Sequence, residues 1–85
     1  MTSVVLYGRE GCCLCDEARE MVLAVRERVP FELAERDIES DEALHRAYLE
    51  RIPVITIDGV ERFELIIAQD EFERAVAGKG PALGP

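Results

Sequence analysis

The rhythm of hydrophobic and polar positions changes several times along this chain. Val4, Val5, Leu6 and Tyr7 form a continuous apolar run rich in β-branched side chains and ended by Gly8, the pattern of a strand buried on both faces. From Leu14 the beat turns helical. Leu14, Ala18, Met21, Val22, Val25 and Val29 fall on one side, Asp16, Glu17, Arg19, Glu20, Arg26 and Glu27 on the other, and Pro30 closes the helix. Asp16 and Glu17 occupy the first turn, where the helix dipole favours negative charge. Residues 31–36 partly alternate, as a less buried edge strand does. Ser40 is placed to N-cap a second helix, with Asp41 and Glu42 in its first turn and Leu44, Ala47 and Tyr48 on its inner face. Ile52 and Pro53 introduce a second near-continuous apolar strand, Val54–Ile57. Asp58 and Gly59 form a strong hairpin signal, so residues 60–65 return antiparallel. A last helix carries Phe72, Ala75 and Val76 on one face and stops at Gly78.

These elements predict an α/β fold in the order β-α-β-α-β-β-α, without internal repeat or linker. The first strand–helix–strand unit should be a right-handed crossover between parallel strands. The first and third strands are apolar throughout and belong at the centre, whereas the second and fourth are mixed. A single four-stranded mixed sheet of order 2-1-3-4, with helices on both faces, satisfies these clues. Residues 1–78 make one domain, and residues 79–85, rich in Gly and Pro, read as a frayed tail.

Charge and composition narrow the function. Eighty-five residues supply one hydrophobic core, and a hydrophobic share of 48% excludes disorder. Eighteen acidic against ten basic residues leave a net charge of −8. Such a surface repels phosphate backbones and anionic lipid, so neither nucleic acid nor membrane is an expected partner. No apolar run approaches the ~20 residues of a membrane span, and the first residues carry no basic region or small-residue cleavage site. The expectation is a soluble, cytoplasmic monomer.

All three cysteines stand at positions 12, 13 and 15. A disulfide-stapled secreted domain would spread its cysteines along the chain, so this cluster is a chemical site rather than a staple. With Cys12 at the N-cap, Cys15 lies one turn in on the same side, and the two sulfurs can bond or separate with little backbone movement. Free N–H groups and the positive end of the dipole stabilise a Cys12 thiolate, the nucleophile of disulfide exchange. Cys15 would be shielded behind it and resolve a mixed disulfide. Arg9 adds positive charge nearby; Glu10, Asp16 and Glu17 oppose it.

A strand followed by C-x-x-C at a helix start, with Ile52-Pro53 opening a buried strand downstream, resembles a glutaredoxin-like member of the thioredoxin superfamily. The resemblance covers nearly the whole chain, residues 4–76. It implies a thioredoxin-like fold, Cys12 as nucleophile, Cys15 as resolving thiol, and a cis Pro53 facing the dithiol. A proline ring without an N–H would leave the Ile52 backbone to pair with an incoming substrate strand. Three features depart from the family pattern. The Gly-Gly that lets the glutathione carboxylate approach the last helix is absent from residues 63–68. Asp16-Glu17 replaces a basic residue after the second cysteine, and Cys13-Leu14 replaces Pro-Tyr. Each weakens the case for glutathione, an anion.

Blander readings stand beside these. A C-x-x-C can be two ordinary buried thiols or half of a zinc site, but zinc or an iron–sulfur cluster wants four ligands. Cys12, Cys13, Cys15 and His45 are the candidates, and adjacent cysteines chelate one ion poorly. Cys13 is an incidental exposed thiol or a second nucleophile, and a Cys12–Cys13 bridge would strain the intervening peptide. Tyr7 is packing or a substrate contact, and His45 is solvated. The expected activity is thiol–disulfide exchange through Cys12 and Cys15. Ile52, Pro53, Arg9, Tyr7 and Gly11 would line the substrate groove. A protein disulfide or small thiol would be the substrate, with no cofactor or metal held and glutathione as a conceivable co-substrate. The alternatives are a thioredoxin-fold binding module whose acidic surface meets a basic partner, and a dimer bridged by a metal or iron–sulfur cluster.

Overall fold

The computed structural model describes residues 2–77. Strand β1 (Ser3–Gly8), helix α1 (Cys13–Arg26), strand β2 (Glu32–Asp37), helix α2 (Glu42–Tyr48), strands β3 (Val54–Ile57) and β4 (Val60–Glu64), and helix α3 (Gln69–Ala77) follow one another. A short 3₁₀ turn, Ile38–Ser40, links β2 to α2. The four strands lie in the order β2-β1-β3-β4, as the burial pattern predicts. Strand β1 runs parallel to β2 and antiparallel to β3, and the β3–β4 hairpin closes one edge. Asp58 and Gly59 turn that hairpin with φ of 52° and 85°, positive values that suit the right-handed twist of the strands.

Strand β3 is buried at all four positions, and its alternating side chains feed two clusters. On one face Ile55 and Ile57 join Val4 and Leu6 from β1, Val22 and Val25 from α1, and Phe72 and Val76 from α3. Phe72 meets Phe31 edge-on at 5.7 Å and Phe63 at 6.1 Å between ring centroids, so three aromatic rings hold α3 to the sheet. On the other face Val54 packs with Cys15, Ile38 and Ile52, covered in part by Leu44 and Tyr48 of α2. No helix among the described residues is long and apolar enough to cross a membrane.

Several local expectations are corrected. Asp41, not Ser40, caps α2: its carboxylate accepts the N–H groups of Ala43 at 2.8 Å and Leu44 at 3.4 Å. The Ser40 hydroxyl instead donates to the Asp37 carbonyl at 2.6 Å. Ala47 is exposed, because α2 reaches the core only through Leu44 and Tyr48. Leu14 is exposed, and Cys15 takes the buried position in the first turn of α1. In β1 only Val4 and Leu6 are buried, since the short α2 covers the opposite face incompletely. Helix α1 ends at Arg26, well before Pro30. Gly78 and the tail at 79–85 lie outside the described residues.

Phe72 has no exposed surface and fills the junction of several elements. Phe72→Ala is therefore expected to lower stability by about 3–5 kcal/mol, and Asp41→Ala by about 1 kcal/mol through the lost cap. Urea unfolding of the two variants checks both the sizes and the ranking.

Candidate active site

The site begins where β1 hands over to α1. Gly11, at φ of +80°, makes a turn that a residue with a Cβ adopts only under strain. Cys12 follows as the N-cap, in extended conformation. Its Sγ accepts the N–H of Cys15 at 3.2 Å, one of the donors that a helix start leaves without an intrahelical partner. Cys12 and Cys15 have Cα atoms 5.2 Å apart, and their sulfurs are at disulfide distance. Cys15 is only 6% exposed, Cys12 is half-buried, and Cys13 is an exposed free thiol. One sulfur of the pair is reachable and the other is shielded.

Gly8 belongs to the site, although the sequence marks it only as the end of a strand. A Cβ built there would stand 3.0 Å from Cys15 Sγ and 3.1 Å from Cys15 Cβ, closer than packed side chains tolerate without movement. The bare backbone at the end of β1 is what lets the first turn of α1 lie against the sheet. Ile38, Leu44 and Tyr48 are further residues around the dithiol that local patterns do not reveal. They come from elements whose docking is visible only in three dimensions.

The remaining expected residues divide. Tyr7 packs against the cluster that holds Cys15 and meets Tyr48 at a tilt, ring centroids 5.0 Å apart. The Ile52–Pro53 peptide is cis, and both residues are buried. The Ile52 N–H donates to the Tyr48 carbonyl at 3.0 Å, so that half of its backbone is not open to a substrate strand, contrary to expectation. Arg9 is ion-paired with Glu39 at 3.1 Å, which offsets the charge it was expected to lend the cysteines. It lines a cleft of about 290 Å³ with Gly8, Cys15, Asp16, Arg19 and Asp37. Gly11 is exposed with nothing packed over it. His45, on α2, is half-buried and outside the cluster around the cysteines. Among the described residues, no three His, Cys, Asp or Glu side chains converge as metal ligands would.

A polar strut supports this wall from behind. The Tyr48 hydroxyl donates to Glu61 at 2.9 Å, and Arg51 donates to both Glu61 and Glu64 while lying over the Tyr48 ring. Arg51 and then Tyr48 hold the Glu61 carboxyl below the ordinary carboxylate range, and Glu61 in turn raises the Tyr48 phenol. Because the folded value of Glu61 is depressed, its contribution to stability is present above the unfolded carboxylate pKa and is lost as pH falls through the folded one. The group is exposed, so the effect is small.

Two tests follow from this geometry. Gly8→Ala is expected to cost about 1–3 kcal/mol by overpacking against Cys15, measured by urea unfolding of the oxidised protein. Glu61→Gln should flatten the acid side of the melting-temperature profile, leaving a smaller drop between neutral pH and the carboxylate range than in the wild type.

Comparison with known proteins places these features in a family. A model of the glutaredoxin-like domain (DUF836) matches residues 3–77. The solution structure of protein Ne2328 from Nitrosomonas europaea is 30% identical, with a TM-score of 0.75 over 88% of this chain and 91% of that one. The X-ray structure of protein XcR50 from X. campestris is also 30% identical, with a TM-score of 0.68 over 82% of this chain and 89% of that one. A thioredoxin from Halobacterium salinarum shares the fold at 19% identity, with a TM-score of 0.68 over 88% of this chain and 71% of that one. No curated protein matches the sequence. With a thioredoxin-like fold and a C-x-x-C pair at disulfide distance, which together support a redox-type role, the chain belongs to the glutaredoxin-like domain family.

Proposed function

We propose that the protein is a thiol–disulfide oxidoreductase working through a Cys12/Cys15 dithiol–disulfide couple. The observation that carries this reading is the asymmetry of the pair: Cys12 is half-buried with its Sγ on a helix-start N–H, and Cys15 is shielded at 6% exposure. The N–H and the helix dipole favour the thiolate at Cys12.

In the reductive direction the Cys12 thiolate attacks one sulfur of a substrate disulfide. A Cys12–substrate S–S bond forms as the substrate bond breaks, and the departing thiolate takes up a proton. Cys15, as thiolate, then attacks Cys12 Sγ and releases the second substrate thiolate, which is protonated in turn. The substrate gains two electrons and two protons, and the protein is left with a Cys12–Cys15 disulfide. A dithiol reductant, or two equivalents of a monothiol such as glutathione, resets it. Tyr7, packed against the cluster that holds Cys15, and the carbonyl of Ile52, whose N–H is engaged by Tyr48, contact the substrate. Arg9 and Gly11 flank the entrance, and the buried Ile52–Pro53 pair forms its floor. The substrate is a protein disulfide or a small thiol, the cysteines carry the electrons without a further cofactor, and the chain acts as a monomer in the cytoplasm, apart from nucleic acid and membrane.

Pure protein equilibrated across a series of reduced-to-oxidised glutathione ratios should lose two hydrogens in intact mass at a defined midpoint. Cys12→Ser should abolish turnover of a small disulfide, and Cys15→Ser should accumulate a mixed disulfide seen as an adduct mass. Undiminished turnover by Cys12→Ser, or a wild-type mass that stays reduced at every ratio, would sink the assignment.

A further inference from the structure

Three of the large hydrophobic side chains exposed on this protein, Leu14, Leu65 and Ile66, line one groove together with Met21, Ile67 and Glu17, about 260 Å³ in volume. Leu14 stands between Cys12 and Cys15 in the chain, so the groove starts at the dithiol's own helical turn. Leu65 and Ile66 come from the loop between β4 and α3, residues 65–68, which contains no glycine. Ile66 is 83% exposed, far more than a side chain selected for burial would be.

Leu65 adds a second observation. It holds φ of +66°, a conformation disfavoured for any residue with a Cβ, and it is 42% exposed. Its N–H donates to the carbonyls of Arg51 at 3.2 Å and Pro53 at 2.9 Å, which fixes that backbone and aligns the loop with the Ile52–Pro53 segment. Glycine would sit there without strain. A leucine kept in a strained, solvent-facing position marks a surface that acts on something outside the chain.

Charge says what that something is. Among the described residues, Glu17 is the only charged one lining the groove, and Glu20, one turn on and exposed, shares its side of α1. With no basic side chain in the lining among the described residues and a net charge of −8, the groove is complementary to an apolar segment carrying lysine or arginine and repels an anion.

We propose that this groove seats the polypeptide beside a substrate disulfide, selecting proteins whose reactive cysteine is flanked by large aliphatic and basic residues. This rests on the oxidoreductase reading and names its substrate class. An aliphatic side chain beside the substrate cysteine enters between Leu14, Leu65 and Ile66, and the neighbouring cation meets Glu17.

The test is single-turnover reaction of fully reduced protein with three disulfides. One is a disulfide-linked peptide with leucine and lysine on both sides of its cysteine. The second has serine in place of leucine, and the third is hydroxyethyl disulfide. Burial of a leucine side chain should make the leucine–lysine peptide react at least about tenfold faster than the serine peptide. Ile66→Ser, at a site exposed enough to leave the fold intact, should remove most of that preference and leave the hydroxyethyl disulfide rate within about twofold of wild type. Leu65→Gly should be at least as stable in urea yet slower on the leucine–lysine peptide alone. Equal wild-type rates on the two peptides, with hydroxyethyl disulfide still reacting, overturn the docking proposal and leave the oxidoreductase reading standing. So does a wild-type dimer that Ile66→Ser dissociates, which assigns the groove to a second copy. No reaction with any of the three overturns the oxidoreductase reading and the docking proposal with it.

Discussion

Helix α1 meets strand β1 with no room for one methyl group. The contact between the bare Gly8 backbone and the Cys15 side chain, 3.0 Å from where a Cβ would stand, sets the distance at which the helix crosses the sheet. Everything chemical in the protein depends on that distance. It buries Cys15 among Ile38, Ile52 and Val54, and it leaves Cys12 at the exposed rim as the N-cap. A looser approach would expose both sulfurs, and the pair would lose the asymmetry on which sequential attack and resolution rest.

The two faces of the sheet are unequally covered. The face under α1 and α3 carries the larger cluster, with its three aromatic rings and aliphatic side chains from β1 and β3. The other face is covered by a seven-residue helix without a single buried residue, through the half-buried Leu44 and Tyr48. The ion pairs are exposed, including Arg19–Glu35 and Arg28–Glu73, and such pairs contribute little each. Burial on the α1–α3 side therefore supplies most of the folding free energy. The dithiol sits at the end of that well-packed side, where the first turn of α1 meets the end of β1.

Much of this was legible in the sequence. Strand order followed from which runs were wholly apolar, and the helix N-cap followed from Cys12 standing one turn before Cys15. What stayed hidden was tertiary. Cys15 displaces Leu14 from the buried position because the crossing of α1 over β1, not helical periodicity alone, decides which side of its first turn faces in. Asp41 caps α2 in place of Ser40 because the 3₁₀ turn Ile38–Ser40 extends the connection from β2. Arg9 and Glu39 meet across thirty residues of chain, and no local pattern encodes that pairing. The contact of Tyr7 with Tyr48 depends on how α2 docks, which no local pattern encodes.

The fold alone does not choose a substrate. A thioredoxin at 19% identity carries the same architecture, so discrimination must reside in what rims the dithiol. In this chain the rim combines an acidic first turn, Asp16-Glu17, with exposed aliphatic side chains at Leu14, Leu65 and Ile66. These features act in one direction. Negative charge beside a cysteine opposes the thiolate and repels anionic thiols, a cost that the Cys15 N–H and the helix dipole offset only locally. Aliphatic side chains left in water have no compensating gain in the free protein. On the proposed docking, both costs would be recovered together when a segment that is apolar and positively charged covers the rim, because burial removes the exposed area and the cation neutralises the acidic turn. The acidic first turn and the exposed aliphatic side chains thus form one coherent surface around the dithiol.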